Sequence, residues 1–412
     1  MNHTQPSLRG ELLPRCPALY TDAFAADPHT VYAALRRQGT AAQVEIAPGI
    51  PAMLVTDYRA ALNVLRNPSL FRKDPRPWQD TLPPGCPITP VVAWRRNVLF
   101  TDGAEHARLR SAVSASLFGA DLMMLRSQVT SLADTLIAGF AHAERTDLLH
   151  DYAKPLALAV FTRLFGCPQE LGERLRVDTQ AIFDGTDPEH ANARLSQTLW
   201  ELIDLKRERP GHDVVTRLMH HPAGLTDEEL AANLLVMMGA GSEPEANLIG
   251  NALHRLLTDA AVAEDLAEGT MSVDDAMDAV LWSDPSMSNY GIVFPATDTD
   301  LDGVVLPAGQ PVVISFAAAN TDPALPAEQR NRAHLAFSAG NHACPAQQMA
   351  RVIASAAIDT VLDRLPGLRL DPDSGPPAWR AAPFTRGLRA LPAIFPSPVR
   401  TPPAHSTSGA TP

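Results

Sequence analysis

Apolar residues recur at helical spacing along most of the chain, while alternating apolar and polar positions are confined to short stretches. From about Asp27 the run HTVYAALRRQG predicts a helix, and AQVEIAPGIPAMLVT, two apolar runs around a Pro-Gly turn, predicts a hairpin. A further helix follows in DYRAALNVLRNP. Between Asp74 and Trp94 prolines are dense and periodic apolar positions scarce, so a long loop is expected, of a length that is often functional. Helical periodicity then dominates from Gly103 to about Leu365, interrupted by one β-rich section, YGIVFPATDTDLDGVVLPAGQPVVISFAAAN. The pattern predicts a protein that is mainly α with a smaller β region, its body spanning residues 23–396. Residues 1–22 and 397–412 read as flexible tails.

One predicted helix stands apart. TDEELAANLLVMMGAGSEPEANLIGNALHRLL opens with a capping box, Thr226 with Glu229, and is long enough to be a central, mostly buried strut. Its middle holds Gly239, Ala240, Gly241, Ser242, Glu243 and Pro244. Proline lacks an N–H and crowds the carbonyl four residues back, here Ala240, so the helix is expected to open there. One reading ends a helix at Pro244 and begins another, leaving Glu243 a solvated first-turn acid. The other has small residues admitting a flat ligand to the backbone, beside a buried carboxylate that handles protons or water.

Charge narrows the partners. The formal net charge is -12 with no run of Lys or Arg, which offers nothing to a phosphate backbone, so no nucleic acid is expected. No stretch of about 18 apolar residues occurs, and the start lacks the basic and apolar regions of a secretory signal. No membrane partner and a cytoplasmic location are expected.

Four cysteines, Cys16, Cys86, Cys167 and Cys344, lie far apart with no C-x-x-C pair, against a disulfide framework or zinc site. Each precedes a proline, so that dipeptide carries no signal. The default for a lone cysteine is a small buried hydrophobe. Cys344 differs in its surroundings: FSAGNHACPAQQMAR supplies a glycine for a tight loop and a helix start to hold negative charge on sulfur.

Phe337, Gly340, His342 and Cys344, followed by a helix with Ala350 and Arg351, resemble the cysteine loop of the cytochrome P-450 family. The resemblance continues in order over nearly the whole chain. EHARLR (His106, Arg110) is similar to the His-x-x-x-Arg that holds haem propionates, and AGSE (Ala240, Gly241, Glu243) to the oxygen-binding groove. LPAGQPVVISFAAANTDP and FTRGLRALP are similar to the family's strands before the cysteine loop and to its final β-turn. The resemblance implies a single-domain cytochrome P-450 fold binding haem b, iron protoporphyrin IX, with Cys344 as axial iron ligand. His106, Arg110 and His342 would hold the propionates, with Phe337 and Gly340 shaping the loop. Electrons would come from ferredoxin and ferredoxin reductase, with Arg108, Arg330, Arg332 and Arg351 near the docking face.

Several family features are missing. Ala279 and Trp282 stand where the Glu-x-x-Arg pair belongs, and Pro244 replaces the threonine that helps deliver protons, leaving Glu243, with Ser242 or Glu245 as substitutes. Ala346 replaces a glycine, the arginine expected near Val293 is absent, and residues 323–334 look shortened. The implied activity is a haem-thiolate oxidoreductase of specialised metabolism acting on an aromatic or peptide-like substrate, a small molecule or short peptide, with oxidative side-chain cross-linking of biaryl or aryl-ether type as the refinement. Hydroxylation of a small molecule by a conventional monooxygenase is the alternative, and a non-catalytic haem-binding or interaction protein the alternative of another class. Substrate is expected under the loop 74–94, beside Ala240, against residues 287–294 and near Phe384; Arg95 and Arg96 read either as solvated surface or as contacts for an acidic substrate group or a propionate.

Overall fold

The computed structural model describes residues 16–183, 187–326 and 331–396. The predicted hairpin forms β1 (Ala41–Ala47) and β2 (Ile50–Val55), with Val44 opposite Ala52 and Gly49 taking φ +71° in the turn. The sheet grows by distant strands: β3 (Phe71–Arg72), β4 (Gly291–Pro295) and β5 (Val312–Ile314), in the order β1-β2-β5-β4-β3. β2 pairs with β5 in parallel; the other pairs are antiparallel. Val44, Leu54, Val313 and Ile314 of this sheet are fully buried.

Six helices position the site: α1 (Tyr58–Arg66), α2 (Gly103–Phe118), α3 (Lys154–Leu164), α4 (Asp227–Thr258), α5 (Val273–Ser283) and α6 (Gln347–Arg364). α4 is the predicted strut. Leu234, Met238, Ile249 and Leu253 on it are fully buried in the main core with Leu148, Leu149 and Leu156, and with Ile353 and Ala357 of α6. Its capping box forms as expected: Thr226 Oγ1 accepts the Glu229 N–H at 3.2 Å, and Glu229 Oε2 accepts the Thr226 N–H at 2.9 Å.

Three expectations are corrected. α4 does not end at Pro244 but runs helical from Asp227 to Thr258 with the proline inside. One N–H is missing out of a long ladder, and apolar packing on both sides of Pro244 carries the helix through it. The segment 74–94 is not wholly loop, since Arg76–Gln79 and Thr89–Val92 are single helical turns with Pro77 and Pro90 in their first turn, where a missing N–H costs nothing. Residues 16–22 are not tail. Leu19 is fully buried, its N–H bonds Glu45 O at 2.9 Å, and a short helix, Asp22–Ala26, starts on the Thr21 cap. The rest of both expected tails, residues 1–15 and 397–412, lies outside the described residues.

Candidate active site

The cysteine loop is tied into a fixed shape before α6. The Cys344 N–H donates to Phe337 O at 2.8 Å, closing residues 337–344 into one turn. Gly340 takes φ +69°, and a Cβ there would lie 2.3 Å from Leu65 O at the end of α1, so glycine alone fits. Ala346, where glycine was expected, has φ -103° and caps α6 without strain. Its N–H lies toward the Cys344 sulfur. Burial pushes the Cys344 thiol up, while that N–H and the Arg110 charge pull it down. The remaining cysteines are free; Cys86 is buried, and burial pushes Cys167 up to about 12, as befits structural residues.

Around this loop the fold collects basic groups. His106 of α2 is buried, its ring 4.0 Å from that of His342, and its Nε2 has no hydrogen-bond partner among the described residues. Arg110, one turn on, donates Nη2–H to Ala343 O at 2.6 Å, beside Cys344. Burial lowers the Arg110 pKa, and burial with neighbouring positive charge drives His106 down to about 4. His342 is lowered too, mainly by burial, although its Nε2 lies 3.6 Å from Asp102 Oδ1.

Sequence reasoning missed two members. Lys73, just after β3, is buried, donates Nζ–H to Ile292 O at 2.8 Å, and is pushed down to about 8 by burial. The β3–β4 register, with Arg72 opposite Phe294, brings it beside Val293, where the expected arginine is missing. Asp102, also missed, accepts the Lys73 backbone N–H at 2.7 Å and supplies the opposing carboxylate. No local motif marks either residue; the arginine missing at Val293 was the one available cue. Four basic groups facing one carboxylate, with one imidazole nitrogen unbonded, form a site short of anionic partners. Such a site suits two carboxylates on a bound group, next to a soft sulfur ligand.

α4 crosses the other side. Ala240 is exposed and Pro244 half-buried, whereas Gly241 faces α3, where a Cβ would meet the Phe161 ring at 2.2 Å. Glu243 is buried and not solvated: its carboxylate accepts from Arg380 Nη2 and, at 3.3 Å, from Asn247 Nδ2. Arg380 lies 137 residues away in the C-terminal turn, a partner that no spacing signal reveals. Ser242 Oγ donates to Met238 O at 2.8 Å. Glu245 is buried with Oε1 unbonded, and burial raises its pKa well above the carboxylate range.

Of the expected substrate walls, the segments 74–94 and 287–294 share a cleft that neither Ala240 nor Phe384 lines. Trp78 meets Phe294 at 5.6 Å between ring centres, Tyr290 meets Phe384 at 5.8 Å, and a narrow cleft is lined by Val91, Leu99, Phe100, Tyr290, Phe294 and Lys73. Arg95 bonds Pro90 O at 3.0 Å, and Arg96 is exposed and paired with Glu105. The proposed docking arginines are largely committed elsewhere. Arg108 pairs with the buried Glu229, Arg351 is buried against Asp278, and Arg332 also meets Asp278; Arg330 lies outside the described residues. No helix among the described residues is long and apolar enough to cross a membrane.

No protein-family model matches the chain. Among curated proteins it is 33% identical over 386 residues to cytochrome P450 monooxygenase PikC of Streptomyces venezuelae, covering 90% of this chain and 91% of that one. It is 29% identical over 395 residues to biflaviolin synthase CYP158A1 of Streptomyces coelicolor, covering 92% and 95%. Among solved structures, CYP154A1 from Streptomyces coelicolor superposes with a TM-score of 0.81 at 28% identity, over 90% of this chain and 98% of that one.

Proposed function

The chain belongs to the cytochrome P450 family, and from that premise we propose that this P450 oxidase or monooxygenase of specialised metabolism oxidises an aromatic or peptide-like substrate, joining aromatic side chains by biaryl or aryl-ether bonds. The cofactor is a haem-thiolate, read as haem b. The residues present fit it: Cys344 offers one sulfur, and His106, His342, Arg110 and Lys73 form a cluster short of carboxylates. Bound there, thiolate-ligated haem supplies oxidising power from dioxygen and electrons. The chain's own contribution is to hold the sulfur in its loop, neutralise the haem carboxylates and shield the reacting centre.

On the distal side, Glu243 flanks the missing hydroxyl, and its partners Arg380 and Asn247 hold its carboxylate in place. Pro244 has neither hydroxyl nor N–H to pass a proton. Proton movement there falls to Glu243. The observation that carries the substrate class is the aromatic lining of the cleft, Phe100 with Tyr290 and Phe294, brought together from two distant segments. Aromatic rings recognise aromatic rings by edge and offset stacking. Electrons are assigned to a ferredoxin with its reductase, in the cytoplasm.

The test is turnover of aromatic peptides and small phenols with a ferredoxin, its reductase and dioxygen, read by mass spectrometry. Loss of two hydrogens per product supports cross-linking. Gain of one oxygen supports hydroxylation, the second reading, which the likeness to a named monooxygenase favours.

A further inference from the structure

α5 lacks the expected Glu and Arg, yet one of its carboxylates reaches both flanks of the cysteine loop. Asp278 accepts Nη1–H and Nη2–H of Arg351, the latter at 3.1 Å, and Nε–H of Arg332 at 3.2 Å. His334 Nε2 lies 3.7 Å from Asp278 Oδ1. Arg351 stands on α6 after Cys344, while Arg332 and His334 precede Phe337. One turn further along α5, Trp282 donates Nε1–H to Asn331 O at 2.9 Å and meets the His334 ring edge-on at 5.7 Å. His334 in turn lies 5.9 Å from Phe337, whose carbonyl receives the Cys344 N–H.

We propose that Asp278, through Arg351 on one flank and His334 on the other, is the positioning residue that fixes the cysteine loop for iron ligation in place of the absent Glu-x-x-Arg pair, with Trp282 completing the brace. This rests on the haem-thiolate reading. The loop needs a brace, since Ser338 (φ +61°) and Gly340 (φ +69°) both adopt left-handed backbone that the surroundings must enforce. Arg351 is 7% exposed, so its charge is compensated chiefly by Asp278, with Asp274 Oδ1 at 3.6 Å, and removing Asp278 takes away its two-pronged partner. Against the upward push of burial, the nearby His334 and the hydrogen bonds from Arg351 and Arg332 hold the Asp278 carboxyl at about 2, so the brace stays ionised at neutral pH. Groups one shell behind a metal ligand set its orientation and the strength of metal binding.

The experiment compares wild type with Asp278→Asn, Asp278→Glu and Arg351→Lys as holoproteins. Three readouts are taken: the Soret band of the reduced carbon monoxide complex, the rate of haem transfer to excess apomyoglobin, and thermal unfolding with far-UV circular dichroism. Asp278→Asn is expected to move the complex from the red-shifted towards the blue-shifted band and to speed haem loss roughly 10- to 100-fold, with Asp278→Glu milder on both. A folded Asp278→Asn protein that keeps the wild-type band and haem-loss rate overturns the proposal, even if its unfolding midpoint falls, because that pattern marks a purely structural role. Should Asp278→Asn not fold, Arg351→Lys decides, since it keeps the charge but loses the two-pronged contact. A shifted band there supports the brace and an unmoved one sinks it. A wild type without the red-shifted band overturns the haem-thiolate reading and the brace together, whereas a normal wild type with unmoved variants overturns the brace alone.

Discussion

At Gly340 the main chain of one element meets the main chain of another with no room for a side chain. Gly340→Ala would press a methyl carbon onto Leu65 O and force an alanine into left-handed backbone, a cost of about 2 kcal/mol or more. A lower unfolding midpoint with faster haem loss is the expected result, and an unchanged midpoint contradicts it. His106 carries a pH signature in the haem-free chain. It stays neutral in the fold down to about 4 but titrates near 6.5 when unfolded, so between those values the unfolded chain binds more protons. Stability therefore falls as pH drops from 6.5 to about 4, by up to about 3 kcal/mol, and His106→Gln should flatten that slope in acid denaturation. Cys344, His106, His342 and Arg110 were legible because their spacing is local. Lys73 was not, since its place in the site depends on a strand pairing that joins residues 219 apart.

At the scale of elements, α4 shows where local rules stop. The capping box was readable because its two residues are three apart, and Thr226→Ala should cost about 1 kcal/mol in chemical denaturation. The unbroken helix at Pro244 was not readable: the proline rule is local, while the force that keeps the helix continuous is core packing on both sides. Pro244 thus sits in the helix at an intrinsic cost. Pro244→Ala is expected to raise stability by as much as about 3 kcal/mol, and a loss of stability in the same assay would show that the proline ring is needed for packing. The single turns in the proline-rich segment were missed for a related reason. Proline is tolerated in a first turn, and no apolar period accompanies turns that short.

Over the whole molecule, the site is assembled by long-range pairs that hold separate layers together. Glu243 of α4 and Arg380 of the C-terminal turn form one; the Glu243 side chain is 4% exposed. Arg380→Met would strand a buried carboxylate and should cost about 3 kcal/mol, with the double variant Glu243→Leu, Arg380→Met less damaging. Equal losses in both would show that the pair is not coupled. The mixed architecture was legible from periodicity, but the partners of Glu243 and Asp278 were not, because nothing in a linear pattern says which distant arginine will arrive. Every role assigned to these residues depends on one bond from Cys344 to iron. The most direct measurement is the absorption spectrum of the dithionite-reduced protein under carbon monoxide, taken beside Cys344→Ala. A red-shifted Soret band in wild type that disappears in the variant is the predicted result; no haem signal, or a blue-shifted band identical in both proteins, would contradict it.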